Sequence, residues 1–248
     1  MLYDKIRRTI PIFLFAHRGA PYLYHENSIQ SISEAIHRGC HGVEIDIQIT
    51  HDNQIILFHD DFIFYDNKKY MISSISYKKL KNICQKNQVT EPDLFSELIP
   101  IMINNSNIVF NIEIKSLKIM NFKILDYIFT HIPKTILHNQ CIISSFNYFL
   151  LFQIRFLFFY RGPVAFILSE FKSTQQLRIK INKILIFILN PQFLHISFNN
   201  INESFIEWIH RKSKMVNIYT INESQLLDRC IELGVDGIFT DNHQLYTN

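Results

Sequence analysis

Two short segments of the chain alternate acidic and branched apolar residues in a way that can place carboxylates side by side. In the first, GVEIDIQIT, an extended strand points Glu44 and Asp46 to one face and four branched residues to the other. In the second, NIEIK, the same alternation puts Glu113 and Lys115 on one face. An antiparallel edge strand with a wet polar face would show this alternation too. Three such carboxylates, if brought together, are the hard oxygen ligands that Mg²⁺ or Ca²⁺ prefers over zinc.

A bound cation would also resolve the electrostatics of such a cluster. Carboxylates packed together without a cation repel one another, and their pKa values rise. Two fixed cations, Arg18 and Lys115, are expected beside the acids. Together with a divalent ion they would bind a phosphate group and stabilise the negative charge on its oxygens.

Two histidines stand at expected strand ends, His17 in HRG and His59 in HD. Imidazole has a reference pKa of about 6.5, so one ring can take a proton from an attacking oxygen while the other protonates the leaving oxygen. Each transfer contributes roughly 10²- to 10⁴-fold in rate. The other nine of the 11 histidines are interpreted as structural or surface residues. The set predicts cleavage of a phosphodiester.

A scaffold must bring these distant segments together. Residues 12–16 form an apolar run that ends at His17, which is typical of a buried strand with a functional residue at its carboxyl end. Strand and helix patterns alternate along the chain, with strands predicted at 12–16, 42–50, 108–115, 141–145, 164–168, 193–198, 216–220 and 237–240. About eight such units predict an α/β fold, a (β/α)8 TIM barrel with its site at the carboxyl ends of the strands. A doubly wound open sheet is the alternative.

Helix-start residues and apolar stripes predict the helices between these strands. Asn27 or Ser28, Asp93 and Ser224 are the predicted caps of three helices. For 172–190 the polar opening favours a helix, although its spaced isoleucines would also suit a strand.

Two further segments depart from the simple strand-helix alternation. The chain is predicted to turn back at 51–53 into a returning strand over 54–59, with Asn53 accepting a positive φ. Residues 61–90 are predicted to be a small insertion after the second strand, with short helical pieces around 76–84. A helix is predicted over 147–158.

Composition predicts one domain, 1–248, because the chain has 6 Gly, 7 Pro and no long polar tract that would mark a linker. A net charge of +3 is too small and dispersed to indicate nucleic acid binding. Four scattered cysteines indicate a reducing compartment. The run at 10–16 is interpreted as the first strand and not a signal peptide, and charges interrupt the apolar stretch 149–168. We expect a cytoplasmic protein with no stable membrane association.

Seven ordered segments resemble the motifs of the glycerophosphodiester phosphodiesterase family, closest to its compact cytoplasmic bacterial form. They are HRGAPYLYHENS, GVEIDIQITHD, ILFHD, NIEIK, ISSF, IYTIN and GVDGIFTD, and they span residues 16–241. The resemblance implies a (β/α)8 barrel fold and a role in glycerol and lipid metabolism. It also implies hydrolysis of glycerophosphodiesters to sn-glycerol 3-phosphate and an alcohol, with a divalent cation.

The resemblance implies a role for each residue singled out above. It implies that His17 and His59 are the acid-base pair. It also implies that Arg18 and Lys115 bind phosphate and that Glu44, Asp46 and Glu113 are metal ligands. The implied mechanism is attack on phosphorus by the neighbouring glycerol hydroxyl, which gives a cyclic phosphate that water opens. Either imidazole can act first as the base.

The chain departs from the commoner family pattern at three positions. Ser28 replaces Thr, Asn53 replaces Gly, and Tyr219 stands where many members have Trp, so the pocket wall can differ. Four other positions keep both a site role and a structural one open: Glu26-Asn27, Asn111, Ser145 and Asp241.

Two alternatives to the hydrolase remain at this level. A barrel phospholipase of the D type acting on lysolipids would need an exposed apolar rim, and the sequence identifies none. A noncatalytic phosphate-binding barrel would not need His17, His59 and all three acids intact.

Overall fold

The computed structural model describes residues 1–115, 122–169, 176–201 and 203–246. The start of the predicted segment 172–190, and that of a helix which the apolar pattern also predicts over 121–132, lie outside the described residues. The protein's strands are β1 (Phe13–His17), β2 (Gly42–Ile49), β3 (Ile55–Leu57), β4 (Phe62–Tyr65), β5 (Lys68–Met71), β6 (Val109–Ile114), β7 (Cys141–Ser145), β8 (Val164–Leu168), β9 (Phe193–Ser197), β10 (Met215–Tyr219) and β11 (Gly237–Thr240). Its helices are α1 (Leu2–Arg7), α2 (Ile29–His37), α3 (Tyr77–Asn87), α4 (Phe95–Asn104), α5 (Phe122–His131), α6 (Lys134–Asn139), α7 (Tyr148–Phe152), α8 (Gln176–Leu189), α9 (Glu203–His210) and α10 (Ser224–Glu232). No helix among the described residues is both long and apolar enough to cross a bilayer.

Eight parallel strands among the described residues close into a barrel. The order around the ring is β1-β2-β6-β7-β8-β9-β10-β11, and it closes because β1 pairs with β2 on one side and β11 on the other. The (β/α)8 prediction is confirmed, and the closure excludes the open sheet. In the register, His17 lies opposite Glu44, and Asp46 lies opposite Glu113. Strand pairing therefore brings the predicted acids and a histidine together.

Aromatic residues fill the amino-terminal half of the barrel interior, and α1 closes it from below. The ring of Tyr3 stacks on Phe13 with centroids 4.4 Å apart and meets the edge of Phe193 at 4.9 Å. The Tyr3 hydroxyl donates a hydrogen bond to Asn217 Oδ1 at 2.9 Å. The sequence does not predict α1, because six residues are too few to show a helical period.

The antiparallel turn at 51–53 forms as predicted. β3 returns along β2 with Ile47 opposite Leu57, and Asn53 adopts a φ of +63°. Leu57 also donates its backbone N–H to the carbonyl of Asp93 at 2.9 Å. β3 therefore pairs with the carboxyl-terminal part of β2 in the same sheet and brings the chain back to the cavity that His59 lines.

The insertion at 61–90 has more regular structure than the short helical pieces predicted for it. β4 and β5 form a hairpin whose turn residues, Asp66 and Asn67, have φ of +50° and +55°. The helix that follows, α3, is longer than the predicted 76–84 and buries Leu80 and Ile83 against this unit. The Asp-Asn turn was the available signal, because both residues tolerate the left-handed conformation that a tight hairpin needs.

Two predicted helix caps are wrong. The N-cap of α4 is Leu94, while the Asp93 carboxylate instead accepts the backbone N–H of Ile29 at 2.7 Å, at the start of α2. The N-cap of α10 is Glu223, and Ser224 is its first helical residue. The cap at Ser28 does form, since its side chain accepts the N–H of Ser31.

The predicted helix over 147–158 is present in two parts. Asn147 caps α7, and Gln153–Leu157 continues it as a π-helix. The segment 172–190 is helical where it is described, as α8. The π-helical turn could not be predicted, because its i→i+5 bonds leave no distinct hydrophobic period over five residues.

Candidate active site

The carboxyl ends of β1, β2 and β6 and the loop after β3 surround one cavity of about 170 Å³. Six of the seven predicted site residues line it: His17, Arg18, Glu44, His59, Glu113 and Lys115. The seventh, Asp46, is only 1% exposed and lies in contact with the cavity's cations. Segments up to 98 positions apart in the chain, from His17 to Lys115, therefore meet at one place.

The three acids form a compact buried cluster. One carboxylate oxygen from each of Glu44, Asp46 and Glu113 lies within 4.8 Å of the others. Burial, followed by repulsion from Asp46 and Glu113, raises the pKa of Glu44 well above its usual value. Burial and Asp46 likewise raise the pKa of Glu113 to about 7. Burial also acts to raise the pKa of Asp46, but Lys115 and Arg18 outweigh it and hold that pKa below its usual value.

This donor set fits a hard divalent cation. The Glu44 Oε1 atom is buried and has no hydrogen-bond partner among the described residues, which is a costly state for a carboxylate oxygen in a protein interior. Three carboxylates and no thiol or imidazole within the cluster match the ligand preference of Mg²⁺ or Ca²⁺. A cation coordinated there would satisfy the bare oxygen and offset the repulsion that raises the two pKa values.

Arg18 and Lys115 bracket Asp46 from two sides. Arg18 Nε lies 3.3 Å from Asp46 Oδ2, and Lys115 Nζ lies 3.2 Å from Asp46 Oδ1. Lys115 Nζ also lies 2.5 Å from Glu113 Oε1. The acids outweigh burial and raise the pKa of both cations, so each stays charged. Arg18 has a φ of +57°, a conformation that aims its backbone N–H at Glu44 Oε2, 3.0 Å away.

Glu26 and Asn27, which precede α2, make hydrogen bonds to Arg18 and Asp46. Arg18 Nη1 donates to both carboxylate oxygens of Glu26 at 2.9 Å. Asn27 donates through Nδ2 to Asp46 Oδ2 and accepts the Asp46 backbone N–H, each at 2.9 Å. The sequence left open whether Glu26-Asn27 belongs to the site or only starts a helix. The structure shows that both side chains contact predicted site residues.

Each of the two histidines has a carboxylate on its Nδ1. His17 Nδ1 lies 2.7 Å from Asp241 Oδ1, and His59 Nδ1 lies 2.7 Å from Asp60 Oδ1. Burial acts to raise the pKa of Asp241, but the bond from His17 and its positive charge lower it. An ionised Asp241 favours the tautomer with the proton on His17 Nδ1, and the other ring nitrogen, Nε2, lies 3.9 Å from Glu44 Oε2.

The sequence that forms this site matches a known protein family. Residues 17–245 match the Glycerophosphoryl diester phosphodiesterase family. The chain belongs to that family. It is 24% identical over 236 residues to a glycerophosphodiester phosphodiesterase of Bacillus altitudinis, covering 92% of this chain and 94% of that protein. It is also 24% identical to one from Caldanaerobacter subterraneus, covering 95% of this chain and 96% of that protein.

The fold is likewise that of solved members of the family. A phosphodiesterase of Oleispira antarctica, determined in complex with the product sn-glycerol-3-phosphate, superposes with a TM-score of 0.76 at 23% identity, covering 97% of each chain. The sequence-based prediction of a phosphodiesterase enzyme of this family is confirmed.

Among the described polar residues that line the cavity, His195 was not predicted from the sequence. It lies on the floor of the cavity, and its Nε2 is 3.3 Å from Asn217 Nδ2. Burial lowers its pKa to about 3, so the ring is neutral at physiological pH. The alternation in FLHIS was the available signal, because it puts His195 on the same inward face as the buried Phe193.

The remaining wall residues differ in their roles. Tyr219, which replaces the Trp of many family members, lines the cavity and donates its hydroxyl to the carbonyl of Leu168 at 2.7 Å. Asn111 lines the cavity and donates to Ser144 at 3.0 Å. Ser145 donates to the carbonyl of Ile114 at 2.9 Å, a contact between barrel strands.

Proposed function

We propose that this protein hydrolyses glycerophosphodiesters to sn-glycerol 3-phosphate and an alcohol, with the help of a divalent cation. The observation that carries the proposal is the cluster of Glu44, Asp46 and Glu113, with its bare carboxylate oxygen, beside a cavity lined by His17, His59, Arg18 and Lys115. The product complex of the Oleispira antarctica relative supports the substrate class. We also propose that the chain is a single domain, 1–248.

Positive charge in the cavity would attract the negatively charged phosphate of the substrate. Glu44, Asp46 and Glu113 would hold Mg²⁺ or Ca²⁺, which supplies Lewis-acid polarisation of a phosphoryl oxygen. Arg18 and Lys115 stay charged beside the acids and attract the phosphate monoanion of a diester. Their positions are fixed by ion pairs before substrate arrives, so they need little reorganisation as charge develops on the phosphoryl oxygens.

The two histidines then move protons at the reacting oxygens. One imidazole accepts the proton of the glycerol hydroxyl next to the phosphoester, and that oxygen bonds to phosphorus as the bond to the alcohol oxygen breaks. The other imidazole protonates the departing alcohol, which leaves a cyclic phosphate. Water opens this ring with the roles of His17 and His59 reversed, so both return to their starting protonation states.

The test is an assay of the purified protein on glycerophosphocholine. We expect release of sn-glycerol 3-phosphate with Mg²⁺ or Ca²⁺ and loss of release with EDTA, restored by adding the ion. The His17→Ala variant should lose roughly 10²-fold or more in kcat, because it removes one proton transfer. His131→Ala is the matched control, since His131 is exposed on α5 and stacks on Tyr127 away from the cavity. Undiminished release by His17→Ala would refute the assignment.

A second substrate tests the route. A diester of the same alcohol in which the neighbouring glycerol hydroxyl is replaced by hydrogen has no internal nucleophile. We expect no turnover of this analogue, and a cyclic phosphate visible by ³¹P NMR during turnover of glycerophosphocholine. Turnover of the analogue at the normal rate would show that water attacks phosphorus directly.

A further inference from the structure

One side of the barrel exposes several large apolar side chains on two helices that contact each other. This surface is formed by α7, its π-helical continuation and α8, and we name it the aromatic flank: Tyr148, Phe149, Phe152, Phe156, Ile184 and Phe187. Phe187 is 86% exposed, and each of the others is at least 40% exposed. The rings of Phe152 and Phe156 are 4.5 Å apart between centroids, so their exposed faces adjoin.

The two helices of the aromatic flank are held together. They pack against each other, and the buried guanidinium of Arg155 joins their ends. Arg155 donates through Nη1 to the carbonyls of Tyr160 and Gly162 at 2.9 and 2.8 Å, and through Nε to the carbonyl of Leu189 at 3.3 Å. These hydrogen bonds fix the two helices of the aromatic flank relative to each other.

Packing within the barrel does not account for these exposed rings. The inner side of the same segment is already apolar and buried through Leu150, Leu151 and Ile154. A helix that is apolar all round is normally covered on every side, and a contiguous exposed apolar patch of this kind marks a contact surface. The outer face of α7, as the described residues leave it, is therefore a candidate contact surface.

Charge indicates which partner this surface would contact. Between Asp126 and Glu203 the only acidic residue in the sequence is Glu170, whereas seven residues are basic: Lys134, Arg155, Arg161, Lys172, Arg178, Lys180 and Lys183. The net charge of the whole chain is only +3, so positive charge is concentrated in this stretch. Of these residues, Arg161 and Lys183 are exposed: Lys183 directly precedes Ile184 on α8, and Arg161 follows the π-helical continuation of α7 by four positions. Aromatic side chains next to exposed cations are the combination that binds an anionic lipid surface.

We propose that the aromatic flank docks this protein reversibly on an anionic lipid surface. A second copy of the chain fits the flank less well, because a two-fold contact would set the same cations against each other. The flank continues to the mouth of the cavity through Phe146, which lines the cavity and is 42% exposed two residues before Tyr148. Docking would place the active-site mouth beside the lipid head groups. The docking itself goes beyond the proposed hydrolysis and does not depend on it.

The test is co-sedimentation of the protein with vesicles, measured without any substrate turnover. We expect binding to vesicles of phosphatidylglycerol mixed with phosphatidylcholine, weak binding to phosphatidylcholine alone, and loss of binding as salt is added. Phe152→Glu/Phe187→Glu should weaken binding by about tenfold or more, because each Phe loses its buried apolar area in the lipid. Phe64→Glu/Ile103→Glu is the matched control: it adds the same charge at two exposed apolar residues outside the flank. The control should bind as the unaltered protein does.

The single variant Phe187→Ser guards against misfolding, since a side chain this exposed cannot support the core. It too should weaken vesicle binding. Equal binding by the flank and control variants, or no binding of the unaltered protein to anionic vesicles, would overturn the proposal. So would light scattering that shows a dimer converted to a monomer by Phe152→Glu/Phe187→Glu, because the partner would then be a second copy. Loss of hydrolysis with vesicle binding intact would count against the proposed function alone.

Discussion

At the scale of single residues, the acidic cluster is built for a cation at the expense of stability. Glu44 and Glu113 have raised pKa values because they are buried near Asp46, so ionising them is unfavourable in the folded protein. A carboxyl group whose pKa is raised on folding destabilises the protein only above its unfolded pKa, and the full cost is present above its folded pKa. The cost in the metal-free protein is therefore greatest at high pH.

We predict that Glu44→Gln raises the free energy of unfolding of the metal-free protein by ~1–2 kcal/mol at about pH 8, and much less at about pH 4.5. The amide keeps an acceptor for the Arg18 backbone N–H but carries no charge. Thermal unfolding in EDTA measures the change as a rise of roughly 2–8 °C. Glu207→Gln on the exposed face of α9 is the control and should leave the midpoint unchanged. An equal loss of stability at both pH values would show that Glu44 has a purely structural role.

Residue types and strand alternation were sufficient to identify seven residues that line or adjoin one cavity. They were not sufficient to find the supporting contacts. The bond between His17 and Asp241 joins β1 to the chain just after β11, and only the closure of the barrel brings those ends together. The positive φ of Arg18 is a local conformation that its residue type does not favour.

A second prediction concerns the pairing of His17 with Asp241. Asp241→Asn should lower kcat by roughly 10²- to 10⁴-fold with a small effect on KM, because an amide can favour the wrong tautomer of His17. The pH profile of kcat should shift as well, which a merely structural loss would not produce. Asp228→Asn on α10 is the matched control, and equal activity of the two variants would contradict the pairing.

At the scale of elements, the strand pattern predicted the barrel because its buried strands read either as apolar runs, as β1 and β8 do, or as apolar residues alternating with polar ones, as β2 and β6 do. Two short elements, α1 and the β4-β5 hairpin, were missed because their stability comes from tertiary packing. For α1 that packing is Tyr3, which is fully buried among the rings of the barrel floor and bonded to Asn217. A six-residue helix would not persist alone in water.

We therefore predict that Tyr3 carries much of the stabilising effect of α1. Tyr3→Ala should lower the free energy of unfolding by ~3–5 kcal/mol, since it leaves a cavity of ring size. Tyr3→Phe should lower it by ~1 kcal/mol, because it keeps the ring and loses one hydrogen bond. Urea unfolding measures both. The exposed ring of Tyr22 provides the control in Tyr22→Ala, which should change stability little. A large effect of Tyr3→Phe would mean that the hydrogen bond outweighs the packing.

At the scale of the whole molecule, two buried systems respond to pH in opposite directions. The acids become easier to bury as pH falls, as argued above. His195 becomes harder to bury, because its pKa in the folded protein is about 3 while free histidine has a pKa of about 6.5. Between these values the unfolded chain takes up a proton that the folded protein excludes, so this residue reduces stability as pH falls from about 6.5 toward 3.

Replacing His195 separates its contribution to the pH dependence of stability from that of the buried acids. We predict that His195→Gln flattens the fall in the free energy of unfolding below about pH 6.5 by up to ~1.4 kcal/mol per pH unit, the slope that one proton produces. The measurement is urea unfolding across the pH range in EDTA. His131→Gln changes an exposed ring and should leave the slope as it is. An unchanged slope in His195→Gln would mean that the folded protein admits a proton to the ring, which requires water or an anion beside it on the cavity floor. The slope therefore reports whether the bottom of the active-site cavity is dry.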